Sequence, residues 1–423
     1  MPKQNQAGSV SVSWLDWLFR HWLVALFWVG ALIALAAMAH FGAVGWDAQG
    51  YWKAAQEVHR GSDPYAEDLL ALRRFHDRLA TNPAEPRPFV YVYSPLTLPL
   101  LRLLAIFPGW FVGLLYGVAV AMGTAVQLWA GFQMAEPRER GWLMLVLPAV
   151  LFFPGLVTDD VILSGNVAYL LYGAMLVGAT AGWKRAEWTW FYFAVLIASV
   201  FKTPFLVFLV FPVLVDARQW VRAGVTAVAG VLIFVAQALM WPGLYREYLS
   251  SLLLVFDWLH DFGFGPASVL GMYLWRRGQP TATATTLLFL ACAVVIGVVL
   301  LVLARRAREW NLPGDAWVPV ALVGTALLNP RVMKYDLAAI TVPMMLIAVR
   351  ALRLWWGAKG DSSGAGTNHS RRALIAAGAI LFFLIPNVIT AVGPSWFPAE
   401  FLVLIAIFVL GVCSLVWRRA GQS

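Results

Sequence analysis

Asp47 stands in the run WDAQGYWKAAQEVHRGSDPY, just past the end of a long apolar segment. Two readings fit it. Asp is favoured as the residue that caps a helix. A carboxylate held at an interface can also act as a general base, taking a proton from a hydroxyl within hydrogen-bond reach. A second acidic feature, Asp159-Asp160, precedes Ser164-Gly165-Asn166. It reads either as a solvated turn that caps the next helix or as a wall of an acceptor site. In the latter, Asn166 offers both a donor and an acceptor, and glycine allows close approach. The cations of interest are Lys202, in Lys-Thr-Pro, and Arg331 and Lys334, in NPRVMKYDL. Ionisable groups beside apolar segments are costly and need partners. Asp336, two residues after Lys334, is the plain partner. A phosphate is the functional one, gripped in a fork by Arg and as a point charge by Lys. Tyr335 lies between Lys334 and Asp336 and joins Asp159, Asp160 and Asn166 as an expected neighbour of the acceptor.

The elements that must position these residues are set by composition. Of 423 residues, 61% are hydrophobic and 13% charged, against roughly 45–50% and 25% in soluble domains. The apolar residues gather in blocks such as 22–40 and 286–304, near the ~17–25 residues that cross a bilayer. Backbone polar groups in lipid must be satisfied internally, so an all-α polytopic membrane protein is expected. The formal charge of +9 follows from Lys and Arg in short loops, as membrane orientation requires, and no nucleic-acid partner is expected. Cys292 and Cys413 lie inside apolar blocks and read as packing residues.

The loop charges predict cytoplasmic termini and about twelve crossings. These fall at about 22–41, 108–134, 141–157, 166–182, 188–201, 204–215, 223–241, 284–304, 315–329, 337–353, 373–391 and 398–417. The segment Pro95–Phe107 is too short to span and contains Arg102, so it reads as an interfacial or re-entrant helix. The chain is then one membrane domain, 1–423, with outer loops at about 42–94 and 242–283. The first loop carries two amphipathic helices, one starting near Tyr51 and one near 66–80, with His59 and His76 as interfacial side chains. The short segments meeting at Lys202-Thr203-Pro204 place that apex against a protein cavity rather than lipid. The expected location is the cell's inner (plasma) membrane, with the polar residues gathered on the extracytoplasmic face.

No Walker motif, GxGxxG, HExxH or CxxC occurs, so nucleotide hydrolysis and zinc chemistry have no support. Asp47 has no cluster of ligating neighbours in the sequence, and neither a metal nor a cofactor is expected.

The order of several motifs resembles a known group. The run WDAQGYWKAAQEVHRGSDPY is followed by YVYSPLTLPLLRLLAIFP, SGNVAYLLYGAML, LIASVFKTPFLVFLVFPVL and LLNPRVMKYDLAAITVP. This order is similar to that of the polyprenol-phosphate-sugar-dependent glycosyltransferases of family 87, in the GT-C superfamily, which include mycobacterial phosphatidylinositol-mannoside mannosyltransferases. The resemblance covers about residues 41–345. It implies a GT-C fold and inverting transfer of a sugar, often mannose, from a polyprenyl-phosphate donor to a lipid or glycan acceptor. Asp47 would be the general base, Lys202 would face the donor phosphate, and Arg331 and Lys334 would line the donor site. The Ser164-Gly165-Asn166 turn departs from the Gly-Gln that members often carry. The alternatives are a secondary transporter or flippase, which often has two similar halves where this chain's halves look unlike, and a non-catalytic partner in envelope assembly.

Overall fold

Amphipathic and wholly apolar segments divide the chain into two kinds of helix. The computed structural model describes residues 45–79, 90–136, 139–140, 163–259, 263, 265, 267–279, 281–330, 332–357, 378–379, 385 and 399–420. The first kind comprises α1 (Trp46–His59) and α2 (Pro64–Leu79), followed by an extended stretch, a 3-10 turn (Pro95–Thr97) and the short α3 (Leu98–Leu104). Then come α4 (Gly109–Met134), α5 (Ala168–Arg185), α6 (Thr189–Phe201), a 3-10 segment (Thr203–Leu209), α7 (Val210–Val215) and α8 (Trp220–Met240). The chain continues through α9 (Pro242–Leu259), α10 (Ser268–Arg276), α11 (Ala282–Glu309) and α12 (Gly314–Ala326). A 3-10 segment (Lys334–Ala339), α13 (Thr341–Gly357) and α14 (Ala399–Ala420) complete it. Every regular element among the described residues is helical.

Three of these helices are long and apolar enough to cross a membrane: α4, α8 with the turn before it, and α11. Their burial pattern is inverted relative to a soluble helix. Val225, Val228 and Leu232 on α8, and Val294, Val298 and Leu301 on α11, recur at helical spacing yet are exposed. A stripe of that kind is stable in hydrocarbon, which satisfies apolar side chains as a core does. The chain is therefore a membrane protein. The centre is α12, buried at every position from Ala316 to Ala326, with α13 and α14 packed on it. Without a hydrophobic drive between helices in lipid, close packing needs small residues. Gly178 supplies one between α5 and α6, since a Cβ there would lie 2.6 Å from the Phe191 backbone.

Several expected elements take a different form. The segment expected as a helix over 204–215 is a 3-10 run followed by the six-residue α7, because Pro204 at its start and Pro212 within it interrupt regular bonding. The outer loop expected at 242–283 is largely helical, in α9 and α10. Its start packs on the first loop: α9 contacts α2, and Tyr248 packs on Tyr65 at 5.9 Å between ring centroids. The expected crossings at 22–41, 141–157 and 373–391 lie wholly or mostly outside the described residues.

At the end of the bundle where α4 finishes, one ion pair ties several elements together. Arg350 of α13 donates Nε to Glu139 Oε1 at 2.9 Å and Nη2 to Glu139 Oε2 at 2.7 Å. The same guanidinium reaches the carbonyls of Asp315 at 2.7 Å and Met134 at 3.1 Å. Glu139 is buried, and Arg353 stands 3.6 Å from it. Removing one partner of a buried pair leaves an uncompensated charge. Glu139→Gln should therefore lower unfolding stability by about 3 kcal/mol. Arg305→Gln, which breaks the exposed pair with Glu309, should cost less than about 1 kcal/mol. Thermal unfolding in detergent distinguishes them, and equal loss in both variants would contradict this clasp.

Candidate functional site

The first turn of α1 is docked on the turn that precedes α5. The Gly45 amide donates to the Leu163 carbonyl at 2.6 Å, and the Asp47 and Ala48 amides donate to the Ser164 carbonyl at 2.9 and 3.2 Å. A helix N-terminus has amides with no partner inside the helix, and here the neighbouring turn supplies carbonyls for them. The capping expectation for Asp47 is thereby overturned. Gly45 holds the cap position, with φ +71, and no side chain caps the helix. Asp47 instead points its carboxylate across to Asn166, whose Nδ2 donates to Oδ2 at 2.7 Å.

Gly165 lets the turn come this close. Its φ is +73, and a Cβ there would stand 2.9 Å from the Tyr116 ring and 3.0 Å from the Ala48 Cβ. Asn166 then braces itself: its Oδ1 accepts from the Ala168 amide at 2.9 Å, while its own amide donates to the Ser164 hydroxyl oxygen at 3.1 Å. The side-chain oxygen is thus committed to the backbone and the NH2 group faces Asp47.

Two tyrosines extend the network. Tyr51, one turn along α1 from Asp47, shares a hydrogen bond of 2.6 Å with Tyr93, and Asn166 Nδ2 lies 3.3 Å from the Tyr93 oxygen. Tyr93 is fixed through its own carbonyl and through the residue after it. Its carbonyl accepts from Tyr65 OH at 2.6 Å, and Ser94 donates to the Val200 carbonyl at the end of α6. Asp68 of α2 accepts from the Tyr91 amide at 2.7 Å and from Lys53 at 3.1 Å, so α1, α2 and the extended Tyr91–Tyr93 stretch are tied into one unit.

Lys202 arrives from the opposite side. It ends α6 in an extended conformation, φ −144 and ψ 105. Its ammonium lies 3.3 Å from the centre of the Tyr335 ring and 5.6 Å from that of Tyr93, a cation–π setting on two faces. Tyr335 is held by the residue after it. Asp336 accepts from Tyr172 OH at 2.8 Å and from the Met333 amide at 2.9 Å, and Tyr172 stacks on Phe205 at 4.3 Å, three residues past Lys202.

Burial raises the Asp47 carboxyl above its ordinary value, while hydrogen bonds from Asn166 and Ser164 and the positive charge of Lys202 pull it back. Burial pushes the Tyr51 and Tyr93 phenols well up, and the nearby Asp47 charge adds to this. Both tyrosines therefore remain neutral hydrogen-bonding groups near pH 7. Two apolar clefts open onto this polar chamber. One, of about 470 Å³, is lined by Tyr51, Tyr93, Leu104, Phe107, Phe111 and Phe201 among others. The other, of about 330 Å³, includes Ala48, Tyr116, Gly165 and Asn166. Tyr51 borders both. Among the described residues no three His, Cys, Asp or Glu side chains converge as metal ligands.

The structure thus brings Asp47, Asn166, Lys202 and Tyr335 to one place. Lys334 begins the 3-10 segment that carries Tyr335. Arg331, Asp159 and Asp160 lie outside the described residues. Tyr51 and Tyr93 escape a reading by sequence, because Tyr51 falls on the apolar face of an amphipathic helix and Tyr93 in an extended run before Pro95. The available signal is the alternation Tyr91-Val92-Tyr93, which puts two phenols on one side. Comparison with protein-family models, curated proteins and solved structures yields no match.

Gly165→Ala should force the Ala48 or Tyr116 contacts apart and strain a left-handed backbone, costing about 2 kcal/mol. The loss should appear as a lowered unfolding temperature, and an unchanged or raised one would contradict the tight docking of α1.

Proposed function

We propose that this chain is a glycosyltransferase that moves a sugar, in the first instance mannose, from a polyprenyl-phosphate donor to a hydroxyl of a lipid or glycan acceptor. The observation that carries this reading is that one carboxylate, Asp47, and one ammonium, Lys202, converge on Tyr93, the first through Asn166 and the second over the ring, where Tyr93 lines an apolar cleft. A base and a cation so disposed suit a substrate that gives up an anionic phosphate while a hydroxyl loses its proton. The clefts suit a prenyl chain, which needs apolar walls rather than a soluble nucleotide fold. The order of sequence motifs shared with the family-87 enzymes points the same way, and the GT-C fold with about twelve crossings belongs to the proposal.

In this mechanism Asp47 accepts the acceptor's hydroxyl proton as its oxygen attacks the anomeric carbon. The bond from that carbon to the phosphate oxygen breaks, and the polyprenyl phosphate leaves with the electron pair. Attack from the face opposite the leaving group inverts the anomeric centre. Lys202 stabilises the charge that collects on the phosphate, with Arg331 and Lys334 as further phosphate-binding residues. Asn166 keeps Asp47 aimed. Asp159 and Asp160 border the acceptor, as does Tyr335. The site faces the outer side of the inner (plasma) membrane, with both termini in the cytoplasm.

The test is transfer by the purified protein, given radiolabelled polyprenyl-phosphate-mannose and a lipid extract as acceptor. Asp47→Asn keeps the shape but cannot take a proton, and its rate should fall by about 10³-fold. Equal transfer by the folded variant would refute the base. The pH profile supplies a second check. Asp47 must be ionised to act, so the rate should climb with pH through its raised pKa. Asn166→Ala removes a hydrogen bond that favours the carboxylate, so the acid limb should move to higher pH. A limb that stays in place would disconnect Asn166 from the base.

A further inference from the structure

A second cleft, separate from the Asp47 chamber, lies on the other side of α3. It encloses about 470 Å³, within the range of small-molecule sites. His59 reaches it from the last turn of α1, Arg102 and Ile106 from α3 and the turn after it, and Trp241 and Leu244 from the end of α8 and the start of α9. Leu103 borders both this cleft and the apolar one beside Tyr51, so α3 is a thin partition between them.

Three observations define its occupant. First, its charge is one-sided: His59 and Arg102 are the only ionisable side chains in the lining, and no acid is among the lining residues. Neither forms a hydrogen bond or ion pair through its side chain among the described residues. Second, its remaining walls are apolar, and Leu103 and Ile106 stay 59% and 69% exposed at its edge. Third, its depth is fixed by Trp241, which directly follows α8, one of the helices able to cross a membrane. Tryptophan and arginine at the end of a crossing sit at headgroup level. An anion-seeking end, an apolar flank and a position at the bilayer interface together match an amphiphile.

We infer that this cleft binds one anionic phospholipid of the surrounding membrane, its headgroup phosphate between His59 and Arg102 and an acyl chain along Leu103 and Ile106. Arg102 is the principal anchor, because a guanidinium grips phosphate oxygens in a fork. The site is independent of the chemistry at Asp47. Its position against α1 and α3 would make the bound lipid part of the packing that supports the first outer loop.

The experiment is native mass spectrometry of the full chain released from detergent. It is titrated with phosphatidylglycerol, with phosphatidylcholine, and with inorganic phosphate as competitor. The wild type should retain one phosphatidylglycerol in preference to phosphatidylcholine. The variant carrying His59→Gln and Arg102→Gln should bind that lipid about tenfold more weakly. Arg102→Lys should bind more tightly than the double variant and more weakly than the wild type, since it keeps the charge and loses the fork. Arg73→Gln, which removes an exposed cation of α2 outside the cleft, should leave binding unchanged. The inference is overturned by equal retention in wild type and double variant, by equal binding of phosphatidylcholine, or by a similar loss in Arg73→Gln. It is also overturned if inorganic phosphate displaces the lipid at comparable concentration, which would mark a free-phosphate site. Arg102→Lys binding as poorly as the double variant would show that packing rather than charge is read, and would overturn it as well.

Discussion

The hydrogen bond from Asn166 to Asp47 is the contact on which the polar chamber depends. A half-buried carboxylate gives up part of its hydration, and donors must replace the water that is lost. Asn166 is such a donor, at 2.7 Å, and it can serve only because the Gly165 turn sits against the first turn of α1. The backbone bonds from residues 45, 47 and 48 to the Leu163 and Ser164 carbonyls hold that contact in register. The chain thus places this carboxylate where two separate segments are already committed to meeting.

The rest of the chamber obeys the same constraint. Lys202 also stands in an apolar frame, and two tyrosine faces flank its ammonium. A cation over an aromatic face is attracted by the ring's electron-rich centre, which holds the ammonium in that frame. Asp336, which sits next to Tyr335, has Tyr172 and the Met333 amide as partners and holds that ring over Lys202. Acid and cation are therefore held near each other through intermediaries, Asn166, Tyr93 and Tyr335.

Much of this frame is legible in the residues. The long apolar blocks give α4, α8 and α11, because nothing but lipid would accept so many outward Val and Leu. Lys202 before Thr-Pro marks the end of α6, and the amphipathic spacing after Asp47 gives α1. Other features depend on contacts between distant segments. Nothing local says that Asp47 leaves the cap to Gly45, since that choice depends on a carboxamide 119 positions away. The helices α9 and α10 are obscured because α9 packs its aromatic side against Tyr65, and the sequence alone shows that side as a mixed polar and apolar run. Tyr51 and Tyr93 look like packing residues until the fold turns their hydroxyls toward each other.

The most direct measurement is a cryo-electron microscopy map of the full chain with a saturating polyprenyl-phosphate sugar. The prediction is density for the phosphate against the Lys202 ammonium, the prenyl chain in the cleft walled by Leu104 and Phe111, and the sugar turned toward Asp47. Donor density at another place in the protein, or an empty chamber at saturation, would contradict the assignment of Asp47 and Lys202 to one transfer site.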